Sequence, residues 1–251
     1  MLKSTRDKAA PKVAAPQSAA HKAIKQQLIV AGKVLVAQGQ DDFTRGHISF
    51  RLPDAPRLFF MKAHSLGLDE ITPANILTVD LDGQVVAGTA RRHSEVFIHS
   101  EIFKARPDVN CVIHTHPTYS IALSSTGRPL KCLSQPGALF HEALGTYTDT
   151  INLIRTPAMG AGVARALGAG RAVLLKNHGV VVTGATVAEA VIGTIMLENG
   201  AMVQLLAEAA GEVAAEFPRT DIERLKNDIS QPEQFQINFD YLARRVKRGG
   251  K

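Results

Sequence analysis

The segment from Cys111 to Tyr119 places the tightest constraint on the fold. Cys111, Val112 and Ile113 form a short apolar run, and Pro117 stops it too soon for a comfortable helix. The pattern predicts a strand. Side chains on a strand alternate between faces, so His114 and His116 share one face. Two imidazoles on one side of a rigid strand make half of a tetrahedral metal site. Taken alone, the plainer reading is two polar residues at a strand end. A third ligand and an acid–base group elsewhere in the chain would decide the matter.

A chain of 251 residues can bury one good core or two small ones. No apolar run approaches the ~18 residues of a membrane span, and the basic N-terminus lacks the apolar stretch of a secretory signal. Cys111 and Cys132 are the only cysteines, which implies no disulfide framework and fits a reduced, cytoplasmic setting. The net charge of +6 is misleading. Residues 1–25 carry +5 and residues 244–251 carry +5, so the body between them is at −4. No aromatics are interleaved with the terminal charges, and the body holds no nucleic-acid motif. The expected partner is a small molecule, neither nucleic acid nor membrane.

Residues 1–17, rich in Ala, Lys and Pro, predict a disordered basic tail. Ala20, Ile24, Leu28, Ala31 and Leu35 repeat at helical spacing between Ser18 and Gln38. Strands are predicted over 46–52, 57–62, 76–81 and 84–87, the last two joined at the hairpin signal Asp82-Gly83. A helix over 91–105 precedes the His114 strand, and a short one follows Pro117. The Gly- and Pro-punctuated residues 126–150 give no clear pattern. Further strands are expected at 151–155, 172–176 and 179–183, with a helix at 158–167 between the first two. Thr186 and Glu189 form a capping box opening a helix that runs to about Ala215, and a last short helix follows Pro218. Residues 18–243 therefore read as one α/β domain, followed by a basic tail over 244–251.

The third ligand candidate is His178, between Asn177 and Gly179 at the end of an apolar strand. By itself it reads as a loop histidine. With His114 and His116 it completes a three-imidazole set that leaves a coordination position open for substrate. Glu95, near the start of the helix predicted over 91–105, is the acid–base candidate, because a helix N-terminus favours a carboxylate. His99 lies one turn on, as a supporting or packing residue.

In this order and with these intervals, Glu95, His114-Thr115-His116 and Asn177-His178-Gly179 resemble the class II aldolase/adducin family. Gly46-His47-Ile48-Ser49, Glu70-Ile71-Thr72, Val79-Asp80-Leu81-Asp82-Gly83 and Arg106-Pro107-Asp108-Val109 extend the resemblance, which spans about residues 20–210. It implies a three-layer α/β/α sandwich around a central, mainly antiparallel sheet. It also implies a homotetramer with active sites at subunit interfaces. By position, His114, His116 and His178 would bind a divalent metal. Glu95 would be the catalytic acid–base, able to take the open metal position when no substrate is there. Zinc suits this set best, and manganese, iron or cobalt also fit it.

The departures bear on substrate. Where the family's sugar-phosphate aldolases hold phosphate with Gly-Asn-x-Ser, a Thr-x-Gly turn and a Ser-Ser pair, this chain has Gly46-His47-Ile48-Ser49, Thr72-Pro73-Ala74-Asn75 and His93-Ser94. Phosphate pockets need small hydroxyls and closely approached amides. His47, Arg92 and His93 are bulkier, and suit a carboxylate or a ring bearing one. The resemblance is to the decarboxylase-like branch, which acts on small hydroxy-aromatic, hydroxy-pyridine or oxo acids. The alternative is an aldolase or epimerase acting on a hydroxy-carbonyl or sugar-type substrate. A non-catalytic interaction module of adducin type would lack the histidines and Glu95. The tyrosine that family aldolases borrow from a neighbouring subunit has no clear match among Tyr119, Tyr147 and Tyr241.

Overall fold

The computed structural model describes residues 18–249; the tail expected over 1–17 lies outside the described residues. The elements run α1 (Ala19–Ala37), β1 (His47–Leu52), β2 (Ala55–Lys62), β3 (Ile76–Asp80), β4 (Val85–Ala87), α2 (Val96–Ala105) and β5 (Cys111–Thr115). They continue with α3 (Thr118–Thr126), α4 (Gln135–Ala138), β6 (Leu144–Tyr147), α5 (Pro157–Leu167), β7 (Ala172–Leu175), β8 (Gly179–Gly184), α6 (Val187–Ala210), α7 (Arg219–Ile229) and α8 (Pro232–Lys247). One eight-stranded sheet has the order β4-β3-β2-β1-β5-β8-β7-β6. Every strand pair is antiparallel except β6 with β7.

Alternation along the strands builds two cores, one on each face of the sheet. Ile48, Ile113, Val180 and Val182 turn to a cluster with Leu28 and Leu35 of α1, Leu197 of α6, and Phe235 and Phe239 of α8. Val112, Val173 and Val181 turn the other way, to Ile98, Ile102 and Phe103 of α2 and Val163 and Leu167 of α5. The result is helices on both faces of a mainly antiparallel sheet, as expected. His114 has the parity of Val112, so it faces the α2 side. His47 pairs with His114 across β1 and β5, and His114 pairs with Val181 across β5 and β8. The site therefore grows from three adjacent central strands.

Local signals explain most boundaries. Ser18 caps α1 by accepting from His21 N, and Gly39, at φ +70°, follows its end. At the Asp82-Gly83 turn, Asp80 Oδ1 accepts from Asp82 N and Gln84 N, while Gly83 takes φ +77°. Thr186 accepts from Glu189 N, and Glu189 returns a bond to Ala185 N. Buried Arg51 donates to the carbonyls of Phe103, Arg106, Val109 and Pro56, and so ties the end of α2 to β1.

Four expectations are corrected. The helix predicted from Arg91 starts at Val96, because Arg92 is held in a bridge to Ala63. Residues 151–155 are not a strand: Ile151 and Leu153 are exposed and Ile154 alone is buried, so the edge strand lies earlier, at β6. The long helix ends at Ala210, before Gly211 at φ +148°. The chain then closes with two helices. Helix α8 extends through Lys247, taking in residues assigned to the basic tail, because Phe235 and Phe239, with Leu242 and Val246, form a helical apolar stripe against the core. Helix α6, by length and composition, is apolar enough to cross a membrane, which the residue-by-residue reading did not register. Half of its most apolar window is buried inside this fold.

Candidate metal centre

His114 is fully buried at the end of β5. Its Nδ1 lies 2.8 Å from the Val180 carbonyl, which can only accept, so Nδ1 carries the proton and Nε2 presents a lone pair. His116 follows two residues later, with the ring centroids 4.6 Å apart. Helix α3 starts directly after it and is fixed by Glu198, whose carboxylate accepts from Tyr119 N, Ser120 N and Ser120 Oγ.

His178 comes from the three-residue turn between β7 and β8. Asn177 takes the left-handed φ of 61° there, and its amide donates to Ser124 Oγ. The glycine after His178 is dictated by space. A Cβ on Gly179 would lie 2.5 Å from the Thr115 carbonyl and 2.9 Å from His116 Cδ2. Only a bare backbone lets β8 come this close to the histidine strand.

Glu95 enters from the residue before α2. Its Oε1 accepts from Ile154 N at 2.9 Å and stands 3.6 Å from His178 Nε2. Its Oε2 stands 3.9 Å from His114 Nε2 and 3.8 Å from His47 Nε2. The loop mistaken for a strand thus supplies the one amide that anchors Glu95.

A divalent cation fits this cluster. Ligand atoms of His114, His116 and His178 lie within 4.8 Å of one another. His114 Nε2 and both His178 ring nitrogens are buried without a hydrogen-bond partner. Such orphaned groups cost about 1–3 kcal/mol each, and a cation would satisfy several at once. Burial also keeps the imidazoles neutral, which is the ligating form. It pushes His116 down to about 3, with His114 and His178 adding to the effect. It holds His114 well below the usual imidazole range and lowers His178, against the opposing pull of Glu95.

Glu95, His116 and His178 line a cavity of about 580 Å³, with His114 buried next to them. Asp42, Arg45, His64, His93, Asn152 and Asn177 are among its walls. Of the three substrate-contact candidates, His93 alone walls it. His47 is wholly buried behind Glu95, with Nδ1 2.6 Å from His99 Nε2. The Arg92 guanidinium lies over the Phe97 ring and donates to the His93 carbonyl. The cation on the cavity wall is Arg45, bonded to Asp42 Oδ1 at 2.6 Å.

Sequence reading missed Asp42, Arg45, His64 and Lys62. Asp42 Oδ2 approaches His116 Nδ1 to 3.1 Å, without hydrogen-bond alignment. Its one signal was an acidic pair just upstream of the Gly46-His47 strand. Lys62 is fully buried, donates to the Thr44, Ala63 and Leu66 carbonyls, and is pushed down to about 8 by burial.

Residues 26–205 match the Class II Aldolase and Adducin N-terminal domain. The chain belongs to that family. Within it, the chain is 30% identical over 188 residues to the Meiotically up-regulated gene 14 protein of Schizosaccharomyces pombe, covering 74% of this chain and 73% of that one. It is 40% identical over 154 residues to Decarboxylase NovR of Streptomyces niveus, a match spanning 59% of this chain and 57% of NovR. It is 29% identical over 216 residues to the 3,4-dihydroxyphthalate decarboxylase of Arthrobacter keyseri, covering 82% and 87%. Among solved structures, the L-fuculose 1-phosphate aldolase of Glaciozyma antarctica PI12 superposes with a TM-score of 0.82 at 26% identity, over 94% of each chain. The family frame around this class II aldolase-type chain is thus one of carbon–carbon lyases.

Proposed function

We propose that this protein is a divalent-metal-dependent carbon–carbon lyase. Its reaction would be decarboxylation of a small hydroxy-aromatic, hydroxy-pyridine or oxo acid. The reading rests on one observation: three imidazoles bring ligand atoms within 4.8 Å of one another, with Glu95 3.6 Å from His178 and 3.9 Å from His114, and Glu95, His116 and His178 line an open cavity. His114, His116 and His178 would hold the ion, with zinc the first choice and manganese, iron or cobalt alternatives. A bound divalent cation supplies Lewis-acid stabilisation of negative charge on substrate oxygens, worth several kcal/mol.

The chain's own groups do the rest. Arg45, His64 and His93 wall the space beside Glu95 and suit a substrate carboxylate. When the carbon–carbon bond breaks, its electron pair stays on the substrate carbon and the carboxylate leaves as CO2. Glu95 then delivers a proton to that carbon, a contribution of typically ~10²–10⁴-fold. The Ile154 amide on Oε1 keeps the carboxyl group aimed.

Decarboxylation is favoured over sugar-phosphate cleavage by the turn at Thr72. Asn75 Oδ1 accepts from the Thr72 amide, and Asn75 Nδ2 donates to the Glu70 carbonyl. The amide that would face a phosphate is already engaged, and the turn does not wall the cavity. The names of the Streptomyces and Arthrobacter relatives point the same way. An aldolase or epimerase acting on a hydroxy-carbonyl compound is the second reading, supported by the close superposition on a fuculose-phosphate aldolase. A homotetramer with sites at subunit interfaces belongs to the proposal.

The test is elemental analysis of the purified protein, followed by incubation of chelated and metal-restored protein with hydroxyarene carboxylates. Metal-dependent CO2 release is expected. Aldehyde formation from a sugar-type substrate, with no CO2 from any acid, would replace the first reading by the second.

A further inference from the structure

Behind Glu95, on the side away from the cavity, three side chains form a hydrogen-bonded line. Ser49 Oγ lies 2.6 Å from His99 Nδ1, and His99 Nε2 lies 2.6 Å from His47 Nδ1. The free end is His47 Nε2, which has no hydrogen-bond partner and stands 3.8 Å from Glu95 Oε2. Ser49, His99 and His47 are all completely buried. A neutral imidazole carries one ring proton, so the role of one nitrogen fixes the role of the other.

Two arrangements satisfy both short contacts. In the first, Ser49 donates to His99 Nδ1, His99 Nε2–H donates to His47 Nδ1, and His47 Nε2–H faces Glu95. In the second, His47 Nδ1–H donates to His99 Nε2, His99 Nδ1–H donates to Ser49, and His47 turns a bare lone pair on the carboxylate. The second sets two electron-rich groups against each other where the dielectric is low. The first sets a donor against an oxygen that can accept.

We propose that the Ser49–His99–His47 line fixes His47 as an Nε2–H donor toward Glu95, making His47 a positioning residue for that carboxylate. It is then neither a substrate contact nor a metal ligand. The inference rests on the acid–base role of Glu95 in the proposed function. Together with the Ile154 amide on Oε1, it gives each carboxylate oxygen its own orienting group. The line ends at buried Ser49, so it holds an orientation and carries no proton in from solvent. His47, Glu95 and His114 do bring ligand atoms together. A ligand role, however, requires a bare His47 Nε2, which is the second arrangement.

The experiment is long-range ¹H–¹⁵N NMR on histidine-labelled protein, with His47→Gln and Ser49→Ala used for assignment. Both His47 and His99 are expected as Nε2–H tautomers. An Nδ1–H signal for His47 overturns the proposal. In cobalt(II) competition titrations, His47→Leu is expected to lose less affinity than the roughly 10–100-fold typical of removing a ligand-orienting partner. A larger loss makes His47 a ligand and overturns the proposal. In turnover, His47→Leu should lower kcat at unchanged KM. His47→Gln, whose amide N–H reaches the same place, should recover most of the rate; equal loss in both variants overturns the donor role. A protein that binds no metal and turns nothing over refutes the functional reading, while the NMR result still decides the tautomer.

Discussion

Two cavities of similar size open on this chain, and their walls could hardly differ more. One, of about 580 Å³, is walled by Asp42, Arg45, His64, His93, Glu95, His116 and His178 among others. The other, of about 630 Å³, is lined by Leu133, Val213, Phe217, Ile222 and Leu225, with Cys132, Glu212, Glu216 and Asp221 also on its wall. The larger one has no buried partnerless polar atom on any lining residue, whereas four residues lining the smaller carry five such atoms: one each on Asp42, His93 and His116, and two on His178. Orphaned polar groups are expensive to keep in a folded chain. Their concentration in one cavity and absence from the other mark where binding energy is held in reserve. Chemistry, not volume, separates the two.

The largest effect should come from Glu95. Glu95→Gln keeps the shape and the acceptor for Ile154 N but cannot carry the proton, so turnover should fall by about 10²–10⁴-fold. Metal content should change little, since three imidazoles remain. Steady-state kinetics beside metal analysis checks both, and a variant of near wild-type rate would remove Glu95 from the chemistry.

The same contrast predicts an acid-sensitive metal-free protein. His93, His99 and His116 are each pushed to about 3, first by burial, against an ordinary 6.5. Between those values the unfolded chain takes up protons that the folded chain refuses. Stability is therefore fully present above about pH 6.5 and falls as the pH drops toward 3. Three such groups give a slope of up to about 4 kcal/mol per pH unit. Urea titrations of chelated protein from pH 7.5 down to 5 would reveal it, and a flat profile would show that these rings are accessible to protons in the folded state.

How much of this could be read from the chain depends on how local each cause is. The His114 and His116 pair was legible because strand alternation needs only two residues, and Thr186 with Glu189 because a capping box spans one turn. His178 and Glu95 were legible through their order and spacing. Asp42 was not, since only the folded sheet brings it 3.1 Å from His116. His47 was legible as part of the site but not in its place. A residue-level reading cannot tell the cavity side of Glu95 from the side that faces His99. The segment 151–155 failed for the opposite reason, because its apolar alternation imitates a strand while Ile151 and Leu153 face outward. Helix α8 was hidden by its polar composition, although the stripe from Phe235 to Val246 is regular.

A middle-sized effect should follow from Asp42, the acidic group beside His116. Asp42→Asn keeps the size and removes the carboxylate that stands 3.1 Å from the ring. Metal affinity should fall by roughly 10–100-fold, the usual cost of losing such a partner. Competition against a chromophoric chelator measures it, and unchanged affinity would reduce Asp42 to a partner of Arg45.

The smallest effect should come from the second cavity, and it tests the comparison from its other side. Phe217 is 75% exposed at the cavity rim, so Phe217→Ser removes little buried surface. Stability should stay within about 0.5 kcal/mol of the parent, and turnover and metal content should not move. The physical reason is that no lining residue there carries a buried polar atom without a partner. A tenfold fall in turnover would make that apolar space part of the working site. The distinction between the two cavities would then have to be drawn from something other than their unpartnered polar atoms.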